Sequence, residues 1–258
     1  MEDGKESVLK LPVVRRVFRG LLAVEILLLL LHGVLVFGFP AASRPLRQFV
    51  NVALPDNLPT WFSSVQLAGV GVLCLICGGL VKTWLRRWGW RILGALFLAL
   101  SVDEMCEVHE KLGDILAARL REGRLPGWML EASEAWRSEG GFLWILYLGP
   151  FLLLAALVAV LWLRSALRGT PGAFRMAAGG FGVMILSQGL EVLQGVLEKH
   201  AWAATANVSM ALEEFLEMLG ATLLLAALLA HALRLGPGGS QSSPPSPVPK
   251  KAGGSSRV

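Results

Sequence analysis

Ten consecutive residues, Ser101-Val-Asp103-Glu104-Met-Cys-Glu107-Val-His109-Glu110, concentrate most of the chemistry this chain could perform. They close an apolar run that begins near Ile92 and could enter a bilayer as a helix. Carboxylates and an imidazole there are costly in lipid. Such groups mark function more often than stability and face a bundle interior or a water-filled cavity. Two other apolar runs carry acids as well: Leu212-Glu213-Glu214-Phe-Leu-Glu217-Met-Leu-Gly220, and a polar stripe of Ser187, Gln188, Glu191, Gln194 and Glu198. A fourth contributes Glu25 and His32, seven residues apart and on one helical face.

Depth tests whether these groups can meet. At about 1.5 Å per residue, Asp103, Glu104 and Glu107, then Glu191, then Glu213, Glu214 and Glu217 all fall in the outer third of their spans. At 100° per residue, Asp103, Glu107 and Glu110 share a face with Glu104 at its edge, while an ideal helix turns His109 to the opposite side. His109 joins the acids only if the helix ends or bulges there. The stripes of the fifth and sixth spans are expected to face each other.

So many carboxylates at one level repel. Either some hold protons, or a cation or a basic side chain neutralises them. No Lys or Arg lies in the outer halves of the spans, and Lys111 is the nearest candidate. Asp103, Glu107, Glu191, Glu213, Glu214 and Glu217 are therefore candidate ligands of a divalent metal. Carboxylate and imidazole ligands suit Zn, Fe or Mn, and a richer oxygen set suits Ca or Mg. His109, Glu104 and Glu110 are candidate acid/base groups. A proton or ion pathway and a purely structural polar network stay open beside the metal site. The chain has no Glu-x-x-His pair of the kind that di-iron bundles use.

The remaining polar residues have plainer readings. His32 is expected to be a hydrogen-bonded core histidine, His200 a solvated loop residue, and His231 an interface residue at the far end of the last span. Cys74 and Cys77 form a C-x-x-C inside an apolar helix with no second pair to complete a zinc site, and Cys106 stands alone near the acids. Gly69, Gly71, Gly78, Gly79, Gly179, Gly180 and Gly182 are read as helix contacts.

The elements that must position these groups follow from composition. The chain has 258 residues, is 54% hydrophobic and only 17% charged, against about 25% charged in soluble domains. Its apolar residues come in blocks near the ~20 residues a helix needs to span a bilayer. The spacing predicts an all-α, polytopic membrane bundle of about six spans: 20–39, 61–81, 90–107, 142–163, 173–197 and 208–233. Pro40, Pro45, Pro55, Pro59, Gly140-Gly141, Pro171-Gly172 and Gly236-Pro237-Gly238 supply the breaks.

The first run follows a basic lead-in but is longer than a signal h-region and carries Glu25 and His32, so it is expected to be a retained helix. Segments 1–19 and 235–258 are expected to be a cytoplasmic N-tail and a disordered Gly/Ser/Pro-rich tail flanking a 20–234 membrane domain. An outer loop, 112–141, contains two helical pieces.

Placing both termini inside puts 16 of the 24 Lys and Arg on the cytoplasmic side, as the positive-inside rule requires. The tryptophans then fall in two interfacial belts, with Trp84, Trp88 and Trp162 inside and Trp61, Trp144 and Trp202 outside. The +5 net charge is accounted for by the inside loops and implies no nucleic-acid partner. Phosphate loops, dinucleotide fingerprints, H-E-x-x-H and G-x-S-x-G are missing.

The pairing of Ser101-x-Asp103-Glu104…His109-Glu110 with Leu212-Glu213-Glu214…Glu217-Met218-x-Gly220 resembles a group of bacterial multi-pass membrane proteins with no established activity. That resemblance covers about a tenth of the chain and implies a shared site. A Ser, an acid and His residues near one membrane face are also similar to the alkaline ceramidase and progestin-receptor-like intramembrane metal hydrolases. The chain departs from that pattern, because its last helix carries His231 alone.

The expectation is a multi-pass protein of the bacterial inner membrane with a carboxylate-rich, cation-binding pocket near the outer face. As an enzyme it would act on a lipid or amphipathic substrate. The alternatives are a proton- or cation-coupled transporter and a non-catalytic membrane subunit or sensor.

Overall fold

A computed structural model describes residues 8–39, 43–52, 57–124, 126–138, 142–200 and 203–236. Every regular element among the described residues is helical, with no strand: α1 (Pro12–His32), α2 (Arg44–Val50), α3 (Leu58–Leu80), α4 (Trp84–Cys106), α5 (Val108–Arg121), α6 (Gly127–Ser138), α7 (Leu143–Ala166), α8 (Ala173–Lys199) and α9 (Ala203–Leu235). A 3₁₀ turn (Val8–Lys10) precedes α1, and a π-helical stretch (Gly33–Gly38) prolongs it. The predicted outer-loop pieces correspond to α5 and α6. The breaks at Pro40, Pro55, Gly140-Gly141 and Pro237, the bulk of the C-terminal tail, residues 1–7 and Trp202 lie outside the described residues.

Local sequence explains the ends. Pro12 opens α1 at a position that needs no N–H. Asn57 caps α3, its side chain accepting from the Thr60 N–H at 3.0 Å. Among the described residues, five helical segments are long and apolar enough to cross a membrane: Pro12–Val36, Leu58–Leu80, Leu143–Ala166, Ala173–Leu197 and Asn207–Leu235. The expected third span, α4, has the length (23 residues) but is not among them. Arg86, Arg87 and Arg91 at one end and Asp103 and Glu104 at the other confine its uncharged stretch to residues 92–102.

α9 is the organising helix and packs against α8, α3 and α1. At 33 residues it is about 50 Å long, longer than a ~30 Å hydrocarbon core. Two close backbone approaches set the bundle. A Cβ on Gly180 would lie 2.8 Å from the Gly220 carbonyl oxygen, and one on Gly71 2.9 Å from that of Gly94, so glycine lets α8 meet α9 and α3 meet α4. Gly79, Gly179 and Gly182, expected to serve the same purpose, have open space around them.

The apolar core centres on Cys74, Cys77, Trp90, Leu163, Ala177, Leu224 and Leu228, in the half of the bundle that carries the basic helix ends. Side chains such as Leu27, Ile76, Ile92, Phe151 and Leu154 point away from the core and stay exposed, as lipid-facing residues would. A smaller cluster of Ala117, Leu120 and Leu143, with Met129, Trp136 and Tyr147 against it, fastens α5 and α6 to the start of α7.

A carboxylate centre at one end of the bundle

α4 ends at Glu107, whose backbone is left-handed (φ 49°). Its N–H closes the last turn on the Asp103 carbonyl at 2.7 Å. The helix breaks there and the chain restarts as α5. That break swings His109 back onto Asp103: Nδ1 lies 2.7 Å from Oδ2, and the His109 backbone N–H donates to Oδ1 at 2.9 Å. His109 thus reaches the acids through a break that an ideal helix would not contain. Burial alone disfavours the imidazolium. The Asp103 carboxylate hydrogen-bonded to it, with Glu191 and Glu110 farther off, outweighs burial and raises the His109 pKa above its ordinary value. Burial and the neighbouring Glu107 carboxylate raise that of Glu110.

Beside this pair, Glu104 of α4 meets Glu214 and Glu217 of α9. One carboxylate oxygen from each lies within 4.8 Å of the others, and all three side chains are half-buried. Ser63 of α3 hydrogen-bonds Glu104. Glu217 accepts from Gln188 Nε2 at 2.9 Å and from Ser187 Oγ at 3.2 Å, so the polar stripes of α8 and α9 do face each other. Trp144 of α7 donates its indole N–H to Glu191 at 2.9 Å and sets its ring edge-on to His109, centroids 4.4 Å apart. Glu213 and Glu191 lie within electrostatic range of Glu217.

Among the candidate residues, Glu104, Glu214 and Glu217 form the tight triangle. Asp103 and His109 form an adjoining pair, Glu191 is near both, and Glu213 is near the triangle. Glu104, which the wheel puts at the edge of its face, reaches the centre, whereas Asp103 is held by His109. Glu107 is the hinge, with Lys111 4.0 Å from its carboxylate. Lys111 also donates to the Cys106 carbonyl, and so its ammonium is engaged at the hinge. Cys106 is exposed.

Sequence reasoning passed over α3. Ser64 and Ser101 exchange reciprocal bonds, with Ser64 Oγ donating to the Ser101 carbonyl at 2.7 Å and Ser101 Oγ to the Ser64 carbonyl at 2.9 Å. These bonds clamp α3 to α4 one turn below Glu104. Hydroxyls and an amide recurring in an apolar span (Ser63, Ser64, Gln66) were the available signal. Of the other histidines, His32 is buried and accepts from the Val52 N–H at 3.3 Å. His231 is buried at the opposite end, 2.8 Å from Thr170 Oγ1 and against Trp90. His200 is exposed.

Long apolar helices around a half-buried acidic triangle define an integral membrane helix bundle with a carboxylate centre at one end. The chain belongs to a family described as a domain of unknown function (DUF8692), whose model matches residues 21–232 and so takes in nearly all of α1 through α9. No curated protein and no solved structure matches it.

Proposed function

We propose that the Glu104–Glu214–Glu217 triangle binds a divalent cation and that the protein is a metal-dependent enzyme of the bacterial inner membrane, acting on a lipid or other amphipathic substrate. The observation that carries this reading is the approach of three carboxylate oxygens from two helices to within 4.8 Å, with no basic side chain among the described residues paired to them. Like charges so close in a half-buried place call for a cation or shared protons. An all-oxygen set favours Mn, Mg or Ca over Zn.

A cation held there would supply a Lewis acid and a more acidic bound water. His109, oriented by Asp103 at 2.7 Å, is the adjacent group able to take up or deliver a proton, with Glu110 and Glu191 around it. In this reading Glu104 is a ligand rather than an acid or base. Gln188, Ser187, Ser63 and Trp144 orient the carboxylates, the role hydrogen-bonding neighbours play around metal ligands.

The topology we propose with it has six spans, counting α4, and both termini in the cytoplasm. The acidic end then lies at the outer leaflet, where an amphipathic substrate's polar part sits. The positive-inside distribution of Lys and Arg supports that orientation.

Elemental analysis of the detergent-purified protein tests the reading. The wild type is expected to carry about one equivalent of divalent metal, lost in Glu104→Gln with Glu214→Gln. A metal-free wild type that gains no thermal stability from added Mn, Mg or Ca would overturn it.

A further inference from the structure

A second polar centre lies deeper, where α1, α3 and α9 meet. Glu25 is completely buried. Its Oε1 accepts from Thr222 Oγ1 at 2.6 Å and from Gln66 Nε2 at 2.8 Å, and the same Gln66 nitrogen donates to Thr222 Oγ1 at 2.8 Å. Counting hydrogens is decisive here. The Gln66 amide brings two and the Thr222 hydroxyl one, and these three bonds use them all. Two buried oxygens are then left with no donor: Glu25 Oε2 and Gln66 Oε1.

Gln66 and Thr222 are buried too. Among the described residues no Lys or Arg pairs with Glu25. Charged or titratable side chains on the surrounding helices stand apart from it. On α9, Glu217 precedes Thr222 by about 7.5 Å of helix rise and His231 follows it by about 13.5 Å. On α1, Arg19 lies about 9 Å of rise before Glu25 and is exposed, His32 lies about 10.5 Å after it, and Cys74 lies about 12 Å beyond Gln66 on α3. Arg44 and Arg47 of α2 lie beyond the C-terminal end of α1.

A bare carboxylate in this position would be an uncompensated buried charge next to an acceptor that nothing satisfies, and each such group is expensive in a dry interior. One hydrogen removes both faults. Carried on Glu25 Oε2, it would neutralise the buried charge and have Gln66 Oε1 as the acceptor still without a donor, on the residue that already bonds the other carboxyl oxygen.

From this hydrogen count we propose that Glu25, Gln66 and Thr222 form a proton-binding site in the middle of the bundle. Glu25 is held there as a neutral carboxylic acid that receives bonds from Thr222 and Gln66 and gives one to Gln66. The site is separate from the outer triangle: it shares no residue with it and needs no metal. It draws on three spans and lies about one and a half turns of α9 from Glu217.

Infrared difference spectroscopy on the full-length protein in liposomes at neutral pH tests this. Glu25→Gln is expected to delete a protonated-carboxyl C=O band. Thr222→Val, which removes a donor from that carbonyl oxygen, should shift the same band to higher frequency and serves if Glu25→Gln does not fold. Loss of a carboxylate stretch in place of the C=O band would overturn the proposal. So would a sodium-dependent rise in Tm present in wild type and lost in Glu25→Gln, since the occupant would then be a metal cation. Metal content of Glu25→Gln is measured alongside. Unchanged content together with a missing C=O difference would sink this site while leaving the outer centre standing.

Discussion

Replacing Gly180 by Ala puts a methyl group 2.8 Å from the Gly220 carbonyl oxygen and 3.0 Å from Leu224 Cγ. A backbone oxygen cannot swing aside as a side-chain tip can, so α8 and α9 must part. Gly182 is on the same helix with nothing within 4 Å of its would-be Cβ. Gly182→Ala is therefore the control: both substitutions gain the same helix propensity, up to about 1 kcal/mol over Gly, and only one meets a wall. The difference between the two variants isolates the overpacking cost, about 1–3 kcal/mol. For a chain of this size each kcal/mol moves Tm by about 2–4 °C. Gly182→Ala should sit at or above wild type, and Gly180→Ala about 2–12 °C below Gly182→Ala, by thermal unfolding in detergent. The lost contact also lies two turns from Ser187 and Gln188, the donors to Glu217, so metal content should fall in Gly180→Ala alone. Equal Tm values for the two variants would refute the claim that this glycine contact sets the α8–α9 approach.

Two further outcomes follow from the hinge. Glu107→Gly relieves a left-handed backbone that costs a non-glycine residue about 1–2 kcal/mol and forfeits only a loose surface pair with Lys111, so Tm should rise; a fall would mean the Glu107 side chain holds the turn. The folded-state pKa of His109 is raised above its ordinary 6.5, so the stability it contributes is complete below that value and disappears as pH climbs through the raised one. The Tm advantage of wild type over Asp103→Asn should accordingly shrink as pH rises above 6.5, and an advantage that grew with rising pH would contradict the pairing.

The helical class and the gathering of acids at one end could be read before any coordinates, because both depend on one-dimensional facts: apolar block length, and distance of each acid from a block's end. Glu191 and Glu217 on adjoining helices followed from the periodicity of their own stripes. His109 did not, because its position depends on a left-handed residue that is not glycine and leaves no trace in composition. The α3 contribution was hidden for another reason. Ser63, Ser64 and Gln66 are uncharged and look ordinary in an apolar run until their partners 37 to 156 residues away are known. Glu25 was conspicuous as a lone acid in a span, but its meaning required Gln66 and Thr222 from two other helices.

α9 carries members of both polar centres on one uninterrupted rod: Glu214 and Glu217 toward one end, Thr222 farther along. A single residue inserted between Gly220 and Thr222 would turn everything beyond it by about 100° and advance it by about 1.5 Å. Whichever end stayed docked, the other would point its polar group at the wrong neighbour. Length in this stretch is thus locked even where side-chain identity is free to drift, and the spacing from Glu217 to Thr222 works as a ruler that keeps the two centres facing their partners together.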